Sequence, residues 1–241
     1  MTLRQRTMLS VAGLAGVAVL LALVFLRMPA VGSAVHVYRD LAVPAAIGRL
    51  TPNVVSSVNF DLRALDTLGE ETIVAAAVVG ALSLLSTGKQ PHHRNRGRVL
   101  PSVKLAGYLL LPVILVLGLD IVAHGHLTPG GGFQGGVVLA TGWHLLYIAG
   151  SPAALAKLRP LDWCEYAEAA STGLYAVVGV LGLVVGGAFL RNVLPLGSFG
   201  SLLSAGTVPV LSILVGIEVA AGLVVLLAQF LAQGSESEEP S

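Results

Sequence analysis

Residues 208–232 read VPVLSILVGIEVAAGLVVLLAQFLA, with Glu218 as the single charged residue. About 20 consecutive apolar residues suffice to carry a helix across the ~30 Å hydrocarbon core of a bilayer. This stretch therefore predicts a membrane-spanning segment. It must be a helix, because an isolated strand in lipid leaves its backbone polar groups unpaired. Five further apolar stretches meet the same test: Met8–Leu26, Asp66–Ser86, Val103–Val122, Gly135–Ala149 and Ser171–Leu190. The fourth is short and is expected to extend toward Pro152. The expected fold class is an all-α integral membrane protein with about six transmembrane helices.

Composition agrees. The 241 residues are 55% hydrophobic and only 11% charged, where a soluble domain carries roughly 25%. Mean hydropathy is +0.84. One cysteine, Cys164, excludes an internal disulfide and any cysteine-based metal or iron–sulfur site within this chain; it reads as a small filler near a helix end. At the N-terminus, Arg4 and Arg6 precede an apolar run that superficially resembles a signal peptide, and small residues follow at Ala30–Ala34. The run is longer than a typical signal core and is expected to be a retained helix.

Orientation is read from the basic residues. With the N-terminus inside, the cytoplasmic segments hold nine (Arg4, Arg6, Lys89, Arg94, Arg96, Arg98, Lys104, Lys157, Arg159) and the outer segments five (Arg27, Arg39, Arg49, Arg63, Arg191). That bias places both termini in the cytoplasm. The polar, basic stretch Ser86–Val99 (STGKQPHHRNRGRV) is the best internal boundary. It divides a two-helix segment, 1–86, from a four-helix domain, 103–233, through a cytoplasmic linker, 87–102. The acidic tail 234–241 is expected to be disordered. The linker's charges fix topology and meet lipid headgroups rather than nucleic acid.

Packing signals are also present. Gly182 and Gly186, and Gly216 and Ala220, stand four apart, the spacing that lets helices approach closely in lipid. Pro112 is expected to kink the third helix. Thr207 before Pro209 reads as the cap of the last one.

Charged groups inside membrane helices are costly, so each asks for a role. Glu218 has no basic residue within a turn or two. It must be protonated, paired with another helix or subunit, or face water. Proton carriage is one reading; a neutral acid donating one structural hydrogen bond is the other. Asp66 and Glu70 are four apart and share a helix face, with Arg63 one turn earlier, while Glu71 is turned away by about 100°. From spacing alone this group is an interfacial ion pair. Asp120 and His124 stand one turn apart with His126 following, a set able to relay protons or to close a helix end; two histidines and one aspartate are weak grounds for a metal. Glu165 and Glu168, placed before the fifth helix, form either an acidic mouth or surface pairs with Lys157 and Arg159. The loop TPGGGFQGG (Thr128–Gly136) lacks the Gly-Lys-Ser/Thr of a phosphate-binding loop. Its glycines Gly130, Gly131, Gly132, Gly135 and Gly136, around Phe133, are expected to allow a tight or re-entrant path between two helices.

Three segments together resemble a known family. TPGGGFQGGVVLA, a glutamate before the fifth helix, and FLRNVLPLGSFGSLLSAGTVPVLSILVGIEVAAGL resemble the B-type member of the Mrp-type multisubunit Na+/H+ antiporter, a domain also found in complex I-like membrane-bound hydrogenases. The likeness covers roughly Val103–Ala232. Upstream, VVSSVNFDLRALDTLGEETIVAAAVVGALSLL is similar to the end of the large A-type subunit, or to the small E-type membrane subunit of those hydrogenases, so the chain resembles a fusion of the two. By this resemblance His126 and Phe133 match the family's residues around the glycine loop, Asp66 and Glu70 match its DTLGE motif, and Glu168 and Glu218 match its acidic positions. Glu71 departs from the usual apolar residue after that motif.

The resemblance implies a membrane subunit of a monovalent cation (Na+)/proton antiporter in the bacterial cell membrane. Its implied partners are large A- and D-type channel subunits, small membrane subunits, Na+, H+ and lipid. It implies no cofactor, no metal and no nucleic acid. Glu218, Glu70 and His126 would line a hydrated route shared with neighbouring subunits. The competing readings are a membrane-arm subunit of a redox-driven pump and a scaffold with no ion route. A self-contained permease lacks recognisable inverted halves, and a self-contained enzyme lacks any nucleophile–base constellation.

Overall fold

A computed structural model describes residues 3–28, 35–85, 99–149 and 161–233. Among these the secondary structure is helical, with no strand. The helices are α1 (Leu3–Arg27), α2 (Val37–Gly48), α3 (Val54–Ser57), a π-helical turn (Val58–Leu62), α4 (Ala64–Leu85), α5 (Pro101–Ala123), α6 (Gly132–Ile148), α7 (Leu161–Gly186) and α8 (Val208–Gln233). Five are long and apolar enough to cross a membrane, at Thr7–Arg27, Ala64–Leu84, Pro101–Ala123, Trp163–Gly186 and Val208–Ala228. The fourth expected span corresponds to α6, which at 17 residues is ~25 Å long. It gains its extra length at the N-terminal side, starting at Gly132, and closes at Ile148 with Ala149 as its C-cap. Most of the linker 87–102 and all of the tail 234–241 lie outside the described residues.

The chain divides into two compact units, Met1–Asp40 and Leu41–Ser241. The first is built on α1, an apolar helix whose exposed side chains suit a lipid surround. The second is organised around α8, which packs against α4, α5, α6 and α7. Of its most apolar window 56% is buried, against 17–22% in α4, α5 and α7. The sequence explains this centrality. The helix is apolar all round and carries Gly216, Ala220 and Gly222, so neighbours approach it from every side. A Cβ on Gly136 would stand 2.9 Å from the Gly216 carbonyl oxygen, and one on Gly132 would stand 2.7 Å from Val215 Cβ. Helix α6 can lie this close to α8 only because these positions lack side chains.

The glycine loop therefore divides its work. Gly130 and Gly131, at φ +150° and +136°, end the short turn after α5, a backbone region that side chains disfavour. Gly132, Gly135 and Gly136 lie inside α6 and serve contact: a Cβ on Gly135 would stand 2.8 Å from the Gly118 carbonyl of α5. Phe133 packs on the core cluster that holds Phe60, Tyr175, Leu211 and Val215.

Three expectations are corrected. The fifth helix begins at Leu161, ten residues before Ser171, so Glu165 and Glu168 lie inside it rather than before it. Their charge had hidden the first three turns of the helix. Gly182 and Gly186 accept not another helix but the returning chain: a Cβ on Gly182 would stand 2.7 Å from the Arg191 backbone nitrogen. Thr207 does not cap α8 with its hydroxyl, which has no protein partner. Instead Asn192 orders the helix start, accepting from the Thr207 N–H at 2.9 Å and donating to the Ala205 carbonyl at 2.9 Å. Pro112 is carried within the unbroken α5.

Candidate functional site

Three glutamates enter the interior from three helices: Glu71 of α4, Glu168 of α7 and Glu218 of α8, at 0%, 6% and 0% exposure. Glu71 faces Glu218 directly. Glu168 lies within electrostatic reach of Glu218 and sits over Gly222, where a Cβ would stand 3.4 Å from its carboxyl carbon. Gly222 is one turn beyond Glu218, ~6 Å along α8. Glu165, exposed on α7, continues the series within reach of Glu168. The acids thus form a descending chain rather than a cage. Among the described residues no three or more His, Cys, Asp or Glu side chains are grouped to hold a metal ion.

The surroundings of this chain are sparsely polar. Apart from each other and the Thr172 hydroxyl, the carboxyls of Glu71 and Glu218 have no polar side chain assigned to them. The Thr172 hydroxyl lies beside Glu218 but donates to the Glu168 backbone carbonyl at 3.1 Å. Tyr175, fully buried and close to Glu71, donates to the Ala64 carbonyl at 3.0 Å. Thr67, one turn before Glu71, donates to the Asn59 carbonyl in the π-helical turn at 2.7 Å. Opposite, His144 of α6 lies near the Leu223 backbone at the depth of Glu168. Two carboxylates ~4 Å apart repel by about 4 kcal/mol even at an effective dielectric of ~20.

The other sequence candidates lie elsewhere. Asp66 and Glu70 share a face, and that face is exposed; Asp66 is ion-paired with Arg63. The neighbouring Glu71, turned away from them, is the buried one. Asp120 and His124 meet at 2.8 Å as an exposed pair at the end of α5. His126 is fully buried in the turn that follows. Its ring rests against the Ser201 and Leu202 backbone, yet neither nitrogen completes a hydrogen bond to protein. Burial holds its pKa below the usual histidine value.

Two features carried no sequence signal. Asp61, its side chain 5% exposed, lies 3.8 Å from Arg49 and accepts from Asn192 at 3.3 Å. Asn53 caps α3 and donates to the Gly125 and Thr128 carbonyls at 2.7 and 2.9 Å. It thereby ties the turn bearing His126 to the segment before α4.

Helices of membrane-crossing length packed around a central α8, with carboxyls buried between them, define an all-α integral membrane protein. Residues 102–225 match the domain related to the MnhB subunit of Na+/H+ antiporter, and the chain belongs to that family. It is 32% identical over 203 residues to an uncharacterised protein of Methanocaldococcus jannaschii, covering 72% of this chain and 75% of that protein. Two solved structures share the fold. A chain of the membrane-bound sulfane sulfur reductase, an archaeal respiratory membrane complex, superposes with TM-score 0.70 at 29% identity, covering 94% of this chain and 98% of that one. A chain of the Mrp complex from a Dietzia species gives TM-score 0.70 at 24% identity, covering 100% of this chain and 27% of that one.

Proposed function

We propose that this chain is a B-type membrane subunit of a multisubunit monovalent cation/proton antiporter, with Na+ as the exchanged cation. Larger A- and D-type channel subunits and small membrane subunits complete the complex in the cell membrane. All six helical segments, α1, α4, α5, α6, α7 and α8, cross the bilayer, and both termini face the cytoplasm, in keeping with the basic-residue bias. The observation that carries the reading is the convergence of Glu71, Glu218 and Glu168, buried on three helices. A carboxyl that accepts a proton or a cation, but not both, couples the two fluxes by competition. Glu71 and Glu218 form the shared site, and Glu168 with Glu165 leads toward the cytoplasmic end.

Glu71→Gln and Glu218→Gln in the assembled complex test this. Each keeps the shape of the side chain and removes its titration. Cation-driven proton movement should fall to background in both while the complex still assembles. Retained exchange with unchanged pH dependence in either variant refutes the shared site.

A second reading has its own support, because the match to the sulfane sulfur reductase chain spans 98% of that chain. The subunit would then serve a redox-driven complex with the same carboxyl chain. Mass spectrometry of what co-purifies with a tagged chain separates the two. Multi-helix antiporter-like subunits alone favour the first reading, and iron–sulfur subunits in the same particle favour the second.

A further inference from the structure

Eleven buried side-chain polar atoms of the described residues have no protein partner. Four belong to Glu71 and Glu218, and one to His144. The other six are His126 Nδ1 and Nε2, Ser56 Oγ, Ser57 Oγ, Ser204 Oγ and Thr207 Oγ1, and they come from three segments that meet at one end of the bundle. The Asn53 N–H donates to the His126 carbonyl at 3.1 Å, and the Asn53 side chain caps Val55 and Ser56, which seats the two serines beside the histidine turn. On the other side the His126 ring rests on Ser201 and Leu202, and the Ser204 N–H donates to the Ser201 carbonyl at 3.1 Å.

We propose that Asn53–Ser57, Gly125–Thr128 and Ser201–Thr207 enclose a water-holding chamber around His126. Buried hydroxyls and imidazole nitrogens are costly unless hydrogen-bonded. The four hydroxyls among them have no protein partner, and the His126 nitrogens meet only the Ser201 and Leu202 backbone without a well-formed bond, so the set is completed by partners from outside the chain. Buried water serves that purpose where polar groups converge, each molecule making about three hydrogen bonds. The chemistry favours water over a bare cation. None of the five side chains is a carboxylate, and the nearby carboxylate Asp61 is already engaged by Arg49 and Asn192.

The chamber also sits where a proton would enter. Thr207 immediately precedes α8, and Glu218 lies eleven residues further on, ~16 Å along the helix axis. His126 in water is a group able to take a proton from the outer side and pass it inward. That role rests on the carboxyl-chain reading above, whereas the chamber rests on its own geometry.

Radiolytic hydroxyl-radical labelling of the assembled, unmodified complex tests it, because radicals generated from internal water mark side chains that bulk solvent does not reach. After correction for intrinsic reactivity, His126 should be labelled several-fold faster than Leu211 and Val215, which are equally buried in the apolar core. Labelling of His126 no faster than these two overturns the chamber. If that occurs while Glu218→Gln still abolishes exchange, the carboxyl chain stands and the chamber alone falls.

Discussion

Replacing Gly136 with alanine sets a methyl group 2.9 Å from the Gly216 carbonyl oxygen, 2.9 Å from Val219 Cβ and 3.1 Å from Val219 Cγ1. Comfortable carbon–carbon contact is ~3.5–4.0 Å, so α6 and α8 must separate by roughly 0.5–1 Å to admit it. Overpacking of this kind costs about 1–3 kcal/mol. Alanine also stabilises a helix interior over glycine by ~0.8–1.0 kcal/mol, which masks part of the loss. Gly80→Ala supplies the reference, because a Cβ at Gly80 of α4 meets nothing within 4 Å. The propensity gain is common to both variants, so their difference isolates the clash at about 1–3 kcal/mol. At ~2–4 °C per kcal/mol for a chain of this size, Gly136→Ala should melt several degrees below Gly80→Ala. The assay is thermal unfolding of the assembled complex in mild detergent. Equal melting temperatures for the two variants would refute the close α6–α8 approach, and with it the placement of α8 at the centre.

Three further outcomes follow from particular contacts. Because burial holds the His126 pKa below 6.5, the unfolded chain binds the proton first; stability is fully present above pH ~6.5 and is lost as pH falls through the lower folded value. Melting curves of the wild type should therefore slope downward under mild acid, and His126→Gln should flatten that slope. Asn192→Ala leaves the Thr207 N–H and the Ala205 carbonyl buried without their bonds, at ~1–3 kcal/mol for each unpaired group. The variant should lower melting temperature and complex yield. Tyr175→Phe removes one hydrogen bond to the Ala64 carbonyl and should cost ~1 kcal/mol in denaturation experiments, since its ring stays packed in the core.

The helical membrane architecture was legible because hydrocarbon thickness imposes a length that apolar runs display directly. Glu218 was legible for a related reason: one acid in a run of apolar residues stands out wherever the helix turns. Glu71 was not. Spacing joined Asp66 to Glu70 and turned Glu71 away, correctly, but which face of α4 is inward depends on what covers it. The covered face is Ala64, Thr67, Glu71 and Val78, spaced 3, 4 and 7 apart. That small and polar stripe was readable as a helix face, though not as a buried one until α7 and α8 were in place. The start of α7 was hidden because Glu165 and Glu168 lower the hydropathy of its first turns, whereas in the fold Glu168 turns inward against Gly222. The chain from Gly187 to Gly206 holds four glycines at positive φ, with Leu190 and Ala205 also in that region. Its fold-back onto α7 is a matter of tertiary contact that no local periodicity encodes. The buried state of His126 is likewise set by Asn53 and the Ser201–Ser204 turn, both remote in sequence.

The most direct test of the central claim is cation-driven proton movement in everted membrane vesicles that hold the intact complex, measured for wild type, Glu218→Gln and Glu70→Gln. The carboxyl-chain account predicts that Glu218→Gln abolishes exchange with the complex assembled at wild-type level. Glu70→Gln, altering an exposed residue, should retain most of it. Full exchange in Glu218→Gln, or loss confined to Glu70→Gln, contradicts the account.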